Sequence, residues 1–137
     1  MEGLLNDRDR RRYPRIVINL PLEYQDMDDS NLRGAMVVNA GNGGFLIEST
    51  RDIPVGTKLK VTLLFSVEFE LANFEAVTKV VWKEHSSRKN SEGNQVWEGY
   101  RYGLEFIQVL DEDRRKLNLL LGEFEFEEMF SSLTIQL

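Results

Sequence analysis

Apolar residues return at every second position through most of this chain. Ile16, Ile18, Leu20, Leu22 and Tyr24 fall on one face of a strand, with Val17, Asn19 and Glu23 on the other. A period of two marks a half-buried strand. Pro21 cannot donate to a ladder, so it calls for an edge position or a bulge. After the polar turn QDMDDSN, residues 32–38 (LRGAMVV) form a second strand. NAGNGG reads as a glycine-rich turn and FLIES as a third strand, followed by the loop DIPVG with its turn proline and glycine. In KLKVTLLF, Leu59, Val61, Leu63 and Phe65 align as a fourth strand. A long segment from about Glu68 to Glu84, bent near Ala72 and Asn73, makes a fifth. HSSRKNSEGN reads as a polar, mobile loop, and YRYGLEF puts Tyr100, Tyr102, Leu104 and Phe106 on one face of a sixth strand. Six short strands separated by turns predict a mainly β fold, a six-stranded antiparallel barrel.

The period then changes. Asp111 is placed to cap a helix running through DEDRRKLNLLLGEFEFEEMF, in which Leu117, Leu121 and Phe124 share a face, as do Leu120 and Phe124. That face is expected to cover one open side of the barrel. Gly122 weakens the helix by about 1 kcal/mol relative to alanine. The tail SSLTIQL alternates again and is expected to dock on its own domain, with an added strand edge or a partner contact as the alternatives. The chain divides into a flexible lead (1–9), one barrel domain with the start of the helix (10–122), and the helix end with its tail (123–137). At 137 residues, one domain with a substantial core is the default.

Composition narrows the chemistry. There is no cysteine, which excludes disulfides and thiolate chemistry, and the single histidine, His85, has no visible partner for a triad or a metal site. No apolar run reaches the ~20 residues that span a bilayer, and the N-terminus lacks the apolar stretch of a secretory signal. A cytoplasmic protein without membrane insertion, metal or cofactor is expected, and no nucleophile–base pair points to an enzyme. The acidic run GEFEFEEMF reads as a solvated helix face.

Charge is the informative feature. The net charge of −6 opposes general nucleic-acid binding. Yet residues 7–15 (DRDRRRYPR) hold five arginines against two aspartates, a local +3, and the remainder carries about −9. A positive cluster on an acidic chain fits a small, defined anion better than a long polyanion. Arginine's planar fork pairs with phosphate oxygens or a guanine edge. Arg11 and Arg15 are four apart, but Pro14 disfavours a helix there, leaving an irregular lead-in able to curl around one ligand. The glycine-rich turn offers backbone N–H groups and close approach, and Asn39 can donate and accept on a base edge. Together these parts suit a phosphorylated purine.

RRYPR resembles the RxxxR motif of PilZ domains, and NAGNGG resembles their (D/N)xSxxG motif. LPLEY, IPVGTKLKVTL, VTKVVW and YRYGLEF before a leucine-bearing helix continue the likeness over roughly residues 8–122. The resemblance implies a six-stranded antiparallel barrel that binds the bacterial second messenger cyclic di-GMP. It implies Arg11 and Arg15 on phosphates and guanine edges, Asn39 reading a guanine, and Gly44 where a side chain crowds turn or ligand. Arg10 and Arg12 flank the motif and add charge. Trp82 stands where some PilZ domains set an aromatic against a base, with packing into the core as the competing reading. Gly41 departs from the motif, which has serine there. A lost hydrogen bond of ~0.5–1.5 kcal/mol weakens binding without abolishing it, against ~1.5–3 kcal/mol for each charge-assisted arginine contact. The alternative is a degenerate PilZ domain serving as a protein-interaction adaptor without nucleotide. In either case the signal passes to a protein partner of motility, pilus, exopolysaccharide or regulatory type.

Overall fold

The computed structural model describes residues 15–67 and 69–122. Six antiparallel strands follow in chain order: β1 (Ile16–Asp26), β2 (Leu32–Gly41), β3 (Gly44–Ser49), β4 (Lys58–Val67), β5 (Glu70–Lys89) and β6 (Gln95–Gln108). They close into a barrel in the order β1-β2-β3-β6-β5-β4, sealed by pairing of β1 with β4 from Leu22↔Leu63 to Asp26↔Leu59. The expected fold is therefore the observed one.

Alternation fills the interior. Ile16, Ile18, Leu22 and Tyr24 of β1 are buried with Val61, Leu63 and Phe65 of β4 and Tyr102 and Leu104 of β6. Phe45, Phe74 and Phe106 form an aromatic cluster with centroids 5.0–5.6 Å apart. The buried polar atoms are partnered: Thr78 Oγ1 donates to the Leu59 carbonyl at 3.0 Å, and the Tyr102 hydroxyl accepts from the Ile53 N–H at 2.8 Å.

A helix, α1 (residues 111–122), follows β6. Its Leu117, Leu120 and Leu121 join the barrel core, as its periodicity predicts. Asp111 does not cap it. The Leu110 carbonyl accepts the Arg114 N–H at 2.9 Å, so Leu110 holds the cap and Asp111 opens the first turn, where its charge favours the helix dipole. Asp113 is buried and accepts the Glu75 N–H at 3.1 Å, tying the helix to a part of β5 that lies beyond its ladder with β6. Phe124 and the tail lie outside the described residues.

Three further expectations are corrected. Asn39, Ala40 and Gly41 belong to β2, because pairing continues through Ala40↔Phe45 and Gly41↔Gly44 and leaves a two-residue turn, Asn42–Gly43. β4 and β5 pair out to Val67↔Glu70, and their ladder is unbroken across Ala72 and Asn73. His85–Lys89 are strand rather than loop, paired with β6 out to Lys89↔Gln95, so the loop shrinks to residues 90–94. This outer ribbon is polar on most positions, so it lacks the apolar alternation by which strands are recognised. His85 sits within it, edge-on to Tyr100 and 3.7 Å from Glu98.

Candidate functional site

The decisive contact is local and polar. Arg15, at the entrance to β1, donates from Nη1 to Asn39 Oδ1 at 3.0 Å. The register explains it: Val17 pairs with Asn39, so the residue leading into β1 lies beside the end of β2. Arg15, the last arginine of the lead-in, therefore lies against the strand that enters the glycine-rich hairpin. Arg10, Arg11 and Arg12 lie outside the described residues.

Two β-bulges aim the site outward. Val37 pairs with Ile47 and Asn39 with Leu46, so Val38 is an extra residue in β2. Val37 and Ala40 both point into the core, and Asn39 lies on the outer face between them. Without the extra residue, alternation from Val37 would turn Asn39 inward. The second bulge does the same for Trp82. Val80 pairs with Leu104 and Trp82 with Gly103, leaving Val81 as the extra residue. Thr78 and Val80 are fully buried, but Trp82 is 42% exposed. Trp82 is thus an outer-surface residue, and the core-packing reading is set aside. A third bulge, where Ile18 and Asn19 face Val38, sits just before Pro21, and Asn19 takes a positive φ of 47° that asparagine tolerates.

The registers align one outward row across five strands: Val17, Asn39, Leu46, Gly103 and Trp82. From Asn39 to Trp82 the row crosses three strand spacings, about 14 Å at ~4.8 Å each. Arg15 stands at one end and the indole at the other.

The glycines have separable duties. Gly44 pairs with Glu105 of β6, and a Cβ there would lie 1.8 Å from the Leu104 carbonyl oxygen. What a side chain would crowd is the neighbouring strand. Gly41 is buried opposite Gly44. The turn between them is held from two sides: Phe106 N–H donates to the Gly43 carbonyl at 2.9 Å, and Arg114 Nη1 to the Asn42 carbonyl.

A scan of family models matches the PilZ domain over residues 9–123. The chain belongs to the PilZ domain family. No curated protein matches it. Among solved structures, its barrel is similar to the PilZ domain with c-di-GMP of YcgR from Escherichia coli, at TM-score 0.70 and 14% identity, covering 90% of this chain and 97% of that one. It is also similar to MrkH, a c-di-GMP-dependent transcription regulatory factor (TM-score 0.69, 15% identity, 87% and 52% covered). A third likeness is to the Bacillus subtilis inhibitor of motility MotI (TM-score 0.62, 16% identity, 88% and 51% covered). The chain spans about half the length of MrkH and MotI. At these identities the likeness is one of fold. No helix among the described residues of this PilZ domain is long and apolar enough to cross a membrane.

One feature beside the outward row escaped sequence reasoning. Glu48, only 9% exposed, accepts from Arg88 Nη1 at 2.9 and 3.0 Å and from Arg101 Nε at 3.0 Å. Arg88 in turn lies over the Trp97 ring, 4.5 Å from its centroid. The network ties β3 to the outer β5–β6 ribbon. Its partners come from three strands, so no local spacing announces it. Burial pushes the Glu48 carboxyl up, but hydrogen bonds from Arg88 and Arg101 outweigh it and hold the group below its ordinary 4.5. A depressed folded-state pKa means stability that is present above pH 4.5 and lost as pH falls through the lower, folded value. Glu48→Gln is therefore expected to lower the melting temperature at neutral pH, with the gap to wild type closing in acid. A gap independent of pH would show that the charge carries none of the effect.

Proposed function

We propose that this PilZ domain is a receptor for cyclic di-GMP. The observation that carries the reading is the Arg15–Asn39 hydrogen bond, which joins the two ligand motifs on the outer face. In this reading Arg11 and Arg15 pair with phosphate oxygens and guanine edges, as planar, permanently charged forks do. Asn39 reads a guanine edge once Arg15 is drawn to the nucleotide. Trp82 stacks on a base from the far end of the row. Gly41 lets the backbone approach the ligand, and Gly44 keeps the hairpin closed against β6. Arg10 and Arg12 add charge that attracts a dianion to an otherwise acidic protein. The presence of c-di-GMP in the YcgR PilZ domain supports the ligand's identity.

The ligand does no chemistry here. Binding exchanges the Arg15–Asn39 contact for contacts to the nucleotide, and the changed surface is read by a protein partner of motility, pilus, exopolysaccharide or regulatory type. The protein works in the cytoplasm, where the messenger is made.

Isothermal titration with cyclic di-GMP tests the reading. Saturable heat in wild type, reduced in Arg11→Ala, is expected; silence in wild type would leave the adaptor reading, for which Gly41 speaks, in possession. Gly41→Ser restores the motif's hydroxyl. It is expected to tighten binding by up to about tenfold, the equivalent of one hydrogen bond. Unchanged affinity in that variant would mean the hydroxyl has no role in this chain.

A further inference from the structure

Both outward tryptophans of the β5–β6 hairpin are laid on glycines of β6. A Cβ on Gly99 would lie 2.6 Å from the Ser49 carbonyl oxygen, 2.8 Å from Trp97 Cζ2 and 3.0 Å from its Cη2. A Cβ on Gly103 would lie 2.1 Å from Trp82 Nε1 and 2.6 Å from Cδ1 and Cε2. Each indole therefore rests directly on backbone, in contact that only a residue without a side chain permits.

The two differ in what else they meet. Trp97 has the Arg88 guanidinium 4.5 Å from its ring centroid, itself anchored on Glu48. Trp82 carries no ring or cation stacked over it among the described residues, and it keeps 42% of its surface exposed. Covering a bare glycine is a structural service that an aromatic can perform on either strand. That service alone does not account for the Val81 bulge, which takes a large apolar side chain off the core face and sets it on the surface, in line with Asn39. Trp97 shows two partners that an indole takes on this sheet: a glycine of β6 and a planar cation.

We propose that Gly103 is a positioning residue for the nucleotide site: its missing side chain lets Trp82 lie flat on β6 and present its outer face to a purine base. The inference rests on the receptor reading above and adds a residue that neither ligand motif contains. Gly103 touches no ligand. Its effect passes through the indole, because any Cβ at that position lifts the ring and tilts the platform. A preorganised platform binds more tightly than one that must be ordered by the ligand.

The test is a double-mutant cycle read by titration with cyclic di-GMP. Base stacking on an aromatic predicts a loss of roughly five- to 150-fold for Trp82→Ala. Gly103→Ala is expected to lose affinity by at least half of that logarithm while remaining folded, since the displaced ring is at the surface and free to swing out. In a Trp82→Ala background, Gly103→Ala is expected to change nothing, because there is no ring left to lift. An equal loss from Gly103→Ala in that background, or full affinity in the single variant, overturns the proposal, as does failure of Gly103→Ala to fold.

A ligand-independent measurement separates the two claims. In a Trp97→Phe background Trp82 is the sole tryptophan, and Gly103→Ala is expected to raise the quenching of its indole emission by acrylamide. Unchanged quenching sinks the platform whatever the titration shows, whereas raised quenching in a protein that never binds cyclic di-GMP sinks the receptor reading alone.

Discussion

Gly44→Ala is expected to be the most damaging single-methyl change in this domain. The added Cβ would stand 1.8 Å from the Leu104 carbonyl oxygen, 2.9 Å from its carbon and 3.2 Å from the Glu105 Cα. All three are backbone atoms of β6, so no rotamer change relieves the contact. Relief requires β3 and β6 to part where Gly44 pairs with Glu105 and Phe45 with Leu104. Phe45 and Leu104 are both core residues, so parting the strands also opens the core. Overpacking costs ~1–3 kcal/mol even where side chains can adjust. Adding the loss of ladder hydrogen bonds at ~0.5–1.5 kcal/mol each, a total near 3 kcal/mol or more follows. Against a typical stability of ~5–15 kcal/mol this is a large share. Thermal unfolding should show a melting temperature lower by roughly 10 °C. A variant that melts with wild type would mean that the hairpin shifts freely and that Gly44 is kept for another reason.

Arg15→Ala is expected to be the opposite kind of variant, folded and poorly binding. Arg15 is half-buried at the margin of the barrel, outside the core cluster. Its removal takes one hydrogen bond from Asn39, whose amide remains accessible to water. Surface changes of this sort usually stay within ~0.5 kcal/mol of wild-type stability. A charge-assisted pair to a phosphate or guanine edge is worth ~1.5–3 kcal/mol, which is roughly ten- to 150-fold in affinity for cyclic di-GMP. Arg15→Lys keeps the charge and loses the fork, so it should fall between the two. Arg15→Ala and Asn39→Ala should be non-additive because the side chains touch. Wild-type affinity in Arg15→Ala, measured at matched ionic strength, would remove the residue from the site.

How much of this was readable beforehand follows from what each signal depends on. The core of β1 and β4 shows in the chain because burial there is strictly alternate, and the helix shows because its leucines recur at helical spacing. The polar outer half of the β5–β6 hairpin does not show. Its stability comes from cross-strand partners such as Arg88 with Trp97 and Glu48, which are scattered across residues 48–101. The length of β2 was hidden by its glycines, whose turn propensity masked a ladder that persists to Gly41↔Gly44.

By itself the chain of residues determined the class of fold, the barrel's interior, and the charge and donor chemistry of the lead-in and hairpin. These depend on local composition and on a period of two. Which way Asn39 and Trp82 face was decided only in three dimensions. Each would be buried by simple alternation from Val37 or Val80, and each is turned outward by one unpaired residue, Val38 or Val81. A bulge exists only relative to the partner strand's register, and that register is set by closing the whole barrel.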